Sequence, residues 1–206
     1  MNGLVLACAA GFVLLQGPAG AQVRGVVPGM SVPDGKLADF YLAVSDYYEV
    51  PPLHAVELHE RYRCPDEEIP VVYFIAARAH VAPASIVSLR LRRKSWLDIA
   101  FHFGLKPDIF FIPLRTDRVG PPYGNAYGYY RRYAPTREWR KMALSDEEVA
   151  ALVNLRFMSE YYGTPPESVM AMRGRGSSFV AINGELKHAS ARKVVSKASN
   201  KSRKKK

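Results

Sequence analysis

The chain has 206 residues and a formal net charge of +10, from 29 Lys and Arg against 19 Asp and Glu. Hydrophobic residues make up 48% of it, which suits one packed domain and excludes a chain that is disordered throughout. Two cysteines, Cys8 and Cys64, are too few for a disulfide scaffold, so packing must supply the stability.

The N-terminus is typical of an export signal. Residues 4–15 form an almost unbroken apolar run, which is shorter than the ~20 residues needed to span a bilayer. Ala19 and Ala21 give the small-x-small pattern that signal peptidase accepts. We therefore expect a signal peptide over 1–21, export to the periplasm or envelope of a bacterium, and a flexible segment over 22–37. Cleavage would leave Cys64 as a lone, partly buried thiol.

A recurring pattern predicts pairs of helices between residues 38 and 186. Counted from Ile75, mostly apolar residues stand at offsets 0, 1, 4, 6, 11 and 14, with a proline at offset 8. Copies of this frame start at Val44, Ile75, Ile99 and Met158. Proline is tolerated at the first position of a helix because its missing N–H would have no partner there. The pattern predicts an all-α domain of stacked helix-turn-helix pairs.

Three stretches carry signals for a helix start. Ser145 and Glu148 have the spacing of a capping box, and Ser95 with Asp98 is a variant of it. The acidic residues 66–68 favour a helix N-terminus through its dipole.

Residues 113–143 predict a long loop within the domain. The stretch GPPYGNAYGYYRRYAP is rich in Gly, Pro and Tyr, and neither a helical nor a strand period survives there. Its tyrosines either fold back onto the helices or stack on sugars, bases or a partner's surface. The candidate ligand- or partner-binding residues are Tyr123, Tyr127, Tyr129, Tyr130, Arg131 and Arg132.

The positive charge is concentrated at the C-terminus. Residues 187–206 contain nine basic residues and no acidic one, so the remainder of the chain is close to neutral. We expect a disordered tail. It either contacts an anionic surface or serves only as a solubilising end. The contact residues in the first case are Lys197, Lys201, Arg203, Lys204, Lys205 and Lys206.

Signals for catalysis are sparse. His54 and His59 are five residues apart, whereas a zinc-binding helix spaces its two histidines by four. The sequence has no Gly-rich phosphate loop and no GxSxG motif. We expect no cofactor and no metal, and an enzyme only if its site is assembled from separated residues.

Two resemblances bear on function. The helical frame resembles the DNA-binding helix-turn-helix over about 15 residues per copy, although Glu57 and Glu167 would repel phosphate. Three segments, DEEIPVVYFIAARAHVAPASIVSLRLRRKSWLDIAFHFGL, GPPYGNAYGYY and EYYGTPPESVMAMRGRGSSFVAING, resemble an uncharacterised family of small exported bacterial proteins. That resemblance implies export and a single helical domain, and it supplies no catalytic residues.

The expected function is therefore an exported, non-enzymatic binding or interaction module of the envelope. Its partner would be an anionic envelope polymer or lipid surface, or another protein. The alternative is a nucleic-acid-binding protein that uses the helix-turn-helix-like corners and the Lys-rich tail.

Overall fold

The computed structural model describes residues 35–116 and 119–203, with side chains up to residue 192. The predicted signal peptide, residues 22–34 of the predicted flexible segment and Lys204 to Lys206 lie outside the described residues.

The described residues are all-α, as predicted, and contain no β-strand. The helices are α1 (Gly35–Tyr47), α2 (Pro52–Tyr62), α3 (Ile69–Ala79), α4 (Pro83–Leu91), α5 (Trp96–His102), α6 (Gly124–Tyr133), α7 (Asp146–Tyr162), α8 (Pro166–Gly174) and α9 (Phe179–Arg203). Three short 3₁₀ turns, Asp66–Glu68, Pro107–Phe110 and Trp139–Lys141, lie between them.

Helix α7 lies at the centre of the packing. All but one of its residues from Val149 to Ser159 are buried, and it packs against α1, α3, α5, α8 and α9. Its predicted capping box is confirmed: Glu148 N donates to Ser145 Oγ (3.2 Å), and Ser145 N donates to Glu148 Oε2 (2.8 Å). This cap satisfies two backbone N–H groups that have no partner within the helix.

Four turns share one local geometry. In each, a residue with positive φ is followed three positions later by the proline that begins the next helix or 3₁₀ turn. The residues with positive φ are Glu49, His80, Gly104 and Gly163. The next residue donates its N–H to a carbonyl in the preceding helix, as Val81 does to Ala76 (3.1 Å), which is the Schellman pattern of a helix end.

The stacking of these corners as a repeat is not confirmed. In a repeat array each unit contacts only its neighbours. Here α1 packs along α9, and α7 contacts helices from both ends of the described chain. The local corners therefore recur within a bundle that is closed by contacts between distant segments.

The acidic residues 66–68, which precede α3, also form hydrogen bonds with helices distant in sequence. Glu67 accepts hydrogen bonds from the backbone N of Phe179 (2.7 Å) and from Arg173 Nη2 (3.2 Å). The Glu67 carbonyl also accepts from Asn154 Nδ2 (2.7 Å). Glu67 thus ties this turn to α7, α8 and α9.

The two flanking carboxylates bind other helices. Tyr41 donates its hydroxyl hydrogen to Asp66 Oδ1 (2.5 Å). Arg90 donates both Nε and Nη2 to Glu68, and its Nη1 lies 2.5 Å from Asp146 Oδ2. Each carboxylate of the turn is therefore engaged in holding helices together.

The predicted structure of three segments was wrong. The predicted loop 113–143 contains α6 and the Trp139–Lys141 turn, because burial of Ala126 and Tyr127 outweighs the low helix propensity of glycine. The predicted tail 187–206 is helical to Arg203, since Ala and Lys favour helix and the packed start of α9 supplies the nucleus. Helix α1 begins at Gly35, within the segment predicted to be flexible.

Candidate binding surface

Helix α6 divides the predicted binding residues between its two sides. Tyr123 is only 1% exposed and Tyr127 is also buried. The Tyr127 hydroxyl donates to the carbonyl of Ile112 (3.0 Å), and burial raises its pKa to about 12. The Tyr130 ring stacks on Phe111, with 4.4 Å between ring centroids. Tyr123 and Tyr127 therefore belong to the core, and Tyr130 packs against it.

Of the remaining predicted residues, Tyr129 is half-buried and packs against the edge of the core, as does its neighbour Tyr133. Tyr129 and Tyr133 are four residues apart, and their rings stack with centroids 6.1 Å apart and planes 18° apart. Arg131 and Arg132 are exposed. The Arg132 guanidinium carbon lies 5.9 Å from the centroid of the Tyr133 ring, within the range of a cation–π contact.

A cleft of about 440 Å³ lies between the end of α5 and the Trp139–Lys141 turn. Its cationic lining residues are Lys106, Arg137, Arg140 and Lys141, and all four are exposed. Aromatic surface comes from Trp139 and Phe101, and the Arg140 guanidinium lies 5.7 Å from the Phe101 ring centroid. The cleft thus presents cationic side chains and aromatic rings side by side.

One carboxylate, that of Glu138, lines the described part of this cleft. It lies 2.6 Å from Lys141 Nζ. The hydrogen bond to Glu138 raises the pKa of Lys141, and nearby Tyr133 adds to the rise. Lys141 and Tyr133, the last residue of α6, are therefore close together.

We call this surface the cationic-aromatic face. It comprises Phe101, Lys106, Tyr129, Arg132, Tyr133, Arg137, Trp139, Arg140 and Lys141. Five of its members are cationic, and four of these line the described part of the cleft beside the carboxylate of Glu138. Long cationic side chains beside aromatic rings suit a ligand that carries several anionic groups and some apolar or sugar surface.

The sequence analysis identified only two residues of this face, Tyr129 and Arg132. It missed all of the residues that line the cleft. The signal that could have found them is the stretch REWRK over residues 137–141, which places three basic residues around one tryptophan.

The structure does not describe the side chains of the predicted tail residues. Lys197, Lys201 and Arg203 lie in α9, beyond the last described side chain. Their contact with an anionic surface stays a prediction.

The histidines of α2 do not share a ligand position. His59 Nδ1 lies 2.8 Å from Asp66 Oδ1, the same oxygen that accepts from Tyr41, whereas His54 is exposed. Among the residues that the structure describes, no group of three or more His, Cys, Asp or Glu side chains could hold a metal ion.

No protein-family model, curated protein or solved structure matches this chain. The resemblance to an exported family therefore stays a prediction. Over the described residues, none of the helices combines the length and the apolar character that crossing a membrane requires.

Proposed function

We propose that the protein is an exported, non-enzymatic binding module that holds a phosphate-bearing polyanion of the bacterial envelope, either a polymer or a lipid surface. The observation that carries this proposal is the cationic-aromatic face, whose described cleft is lined by four exposed cationic side chains, two aromatic rings and one carboxylate. Export rests on the N-terminal sequence.

Binding would combine two physical effects. Each Lys or Arg near an anionic surface contributes about 1 kcal/mol, and contacts with several phosphates release counterions, so the affinity falls as salt rises. The stacked Tyr129 and Tyr133 and the ring of Trp139 offer flat surface to sugar or apolar parts of the ligand. Charge supplies most of the affinity, and the rings orient the ligand.

The test compares two double variants that change net charge equally. Arg137→Glu with Arg140→Glu alters the cationic-aromatic face, and Arg92→Glu with Lys94→Glu alters exposed residues just beyond α4. Binding to polyphosphate, and to vesicles with and without phosphatidylglycerol, is measured at several salt concentrations. We expect the first pair to lower affinity at least tenfold and to reduce the salt slope by about two, while the second pair has little effect.

The two probes separate the two sources of phosphate. Binding to polyphosphate alone indicates a polymer, and binding to vesicles alone indicates a lipid surface. Equal losses in both double variants, or no binding of either probe by the unaltered protein at low salt, would contradict the proposal. The same measurements in protein ending at residue 192 isolate the contribution of the end of α9.

The alternative of nucleic-acid binding through the helix corners predicts a different outcome. Arg92 and Lys94 directly follow α4, the second helix of the corner that starts at Ile75. A short single- or double-stranded DNA that loses affinity in the Arg92→Glu, Lys94→Glu variant, and not in the other, would favour that alternative.

A further inference from the structure

The cleft of the cationic-aromatic face is lined from two segments of the chain. Phe101 and residues 104–106 contribute from one segment, and residues 137–141 contribute from the other. Its volume of about 440 Å³ falls within the range of small-molecule sites, roughly 300–1,000 Å³. A bilayer presents its headgroups as a flat layer, whereas one unit of a flexible polymer can enter between two segments. The shape of the cleft therefore favours a polymer over a lipid surface.

Trp139 supplies aromatic surface to this cleft. The residue is half-buried, packs against the edge of the core and lines the cleft. No described aromatic ring or arginine stacks on Trp139, whereas the Arg140 guanidinium carbon lies 5.7 Å from the ring centroid of Phe101. Tryptophan offers a large flat surface, on which the C–H groups of a sugar ring can pack while the hydroxyls around its rim stay free. Trp139 is therefore better placed than Phe101 to stack on a sugar.

Glu138 supplies a hydrogen-bond acceptor beside the cations. Its Oε1 accepts from Lys141 Nζ at 2.6 Å, and no described group donates to its Oε2. The side chain is 45% exposed, so a ligand in the cleft can reach it. A carboxylate repels phosphate, and a site for phosphate alone would gain nothing from it. An ionised carboxylate accepts hydrogen bonds and donates none, so Glu138 favours a ligand that carries hydroxyl groups as well as phosphate.

We propose that the cleft binds a sugar phosphate unit of an envelope polymer, with the sugar ring stacked on Trp139 and a sugar hydroxyl donating to Glu138 Oε2. The phosphate contacts Arg137 and Arg140. This inference rests on the proposed function and narrows its ligand from any phosphate-bearing polyanion to a polymer of sugar phosphates. The arginines supply the affinity for phosphate, and Trp139 and Glu138 determine which phosphate compound is preferred.

The test compares mannose 1-phosphate with cyclohexyl phosphate. Both carry one phosphate on a six-membered ring, and only mannose 1-phosphate has hydroxyl groups. Dissociation constants come from NMR titration of the full chain at low salt. We expect mannose 1-phosphate to bind about tenfold more tightly, as one hydrogen bond to a charged group warrants. Glu138→Ala should remove this preference and strengthen the binding of cyclohexyl phosphate, because the repelling carboxylate is gone.

Two further variants separate the stacking of the sugar from the binding of phosphate. Trp139→Leu keeps apolar packing but loses the flat ring, so it should weaken mannose 1-phosphate at least threefold and leave inorganic phosphate unchanged. Phe101→Leu is the matched control, because Phe101 also lines the cleft but has the Arg140 guanidinium against its ring. It should keep the affinity for mannose 1-phosphate.

Soluble phosphomannan and vesicles that contain phosphatidylinositol distinguish the polymer from a lipid, since both carry phosphate on a hydroxylated ring. We expect phosphomannan to bind more tightly, and binding to the vesicles alone would overturn the polymer assignment. Equal affinity for mannose 1-phosphate and cyclohexyl phosphate, or a preference that survives Glu138→Ala, would overturn the sugar phosphate site even where polyphosphate still binds. Absence of binding by every phosphate probe would overturn the proposed function as well.

Discussion

Cys64 illustrates how burial sets the chemistry of a single residue. Burial raises the pKa of its thiol from 9.0 to about 12, and the nearby carboxylate of Glu68 adds to the rise. The thiol is therefore neutral at pH 8, and only the thiolate is an effective nucleophile. This environment fits the predicted partly buried thiol.

We expect Cys64 to react slowly with iodoacetamide. In Cys8→Ser protein at pH 8, alkylation followed by mass spectrometry should be at least a hundredfold slower in the native state than in urea. Similar alkylation rates in native and urea-unfolded protein would contradict a buried Cys64 thiol.

The same burial affects stability. Because the pKa of the Cys64 thiol is higher in the folded state, its proton stabilises the fold below about pH 9, and this contribution to the free energy of unfolding should be lost as the pH rises from about 9 towards 12.

At the scale of single elements, the sequence predicted helices best where local signals agree. The Ser145 capping box, the Ser95 cap and the prolines at helix starts depend on neighbouring residues alone, and the structure contains each of them. Helix α6 was missed because its sequence GNAYGYYRRY contains two glycines. Its stability comes from burial against Phe111 and Ile112, which no local pattern reveals.

The candidate site, too, could be predicted from local sequence only in part. Basic and aromatic residues could be recognised in the sequence, but the side of α6 on which each lies could not. Tyr123 and Tyr127 are buried in the core, whereas Tyr129 and Tyr133 form a half-buried stacked pair at its edge. Once α6 is known to be a helix, its period separates the two groups.

The two glycines of α6 should respond oppositely to alanine. A Cβ added at Gly128 meets no atom within 4 Å, whereas one at Gly124 would lie 2.8 Å from the Val119 carbonyl oxygen. Gly128→Ala should raise the free energy of unfolding by about 0.5–1 kcal/mol, and Gly124→Ala should lower it by about 1 kcal/mol or more. Urea unfolding of both variants measures this, and a loss in Gly128→Ala would argue against a helix here.

At the scale of the whole molecule, the two parts of α9 differ in composition. Among its described side chains, the buried apolar residues Phe179, Ile182 and Leu186 lie in its first half, and Lys187 Nζ lies 2.6 Å from Asp39 Oδ1 of α1. The remaining helix adds a run of positive charge. The body and this extension should therefore differ in their contributions to stability.

Protein that ends at residue 192 tests this difference. Circular dichroism should show the loss of the helical signal of the eleven residues from 193 to 203, while the unfolding temperature changes by only a few degrees. The isolated segment 187–203 serves as the control and should be mostly unstructured, because a short helix without packing is marginal in water. Unchanged ellipticity per molecule after truncation would show that the extension is not helical.

The contacts between distant segments also determine when the fold can be completed during synthesis. Glu67 bonds to a residue 112 positions later, and Asp39 pairs with one 148 positions later. A ribosome that adds about 5–20 residues per second delivers these partners several seconds after Asp39 and Glu67. The nascent chain therefore lacks these closing contacts until residues 179 and 187 have emerged, and α1 and the acidic turn must wait for them without their final partners.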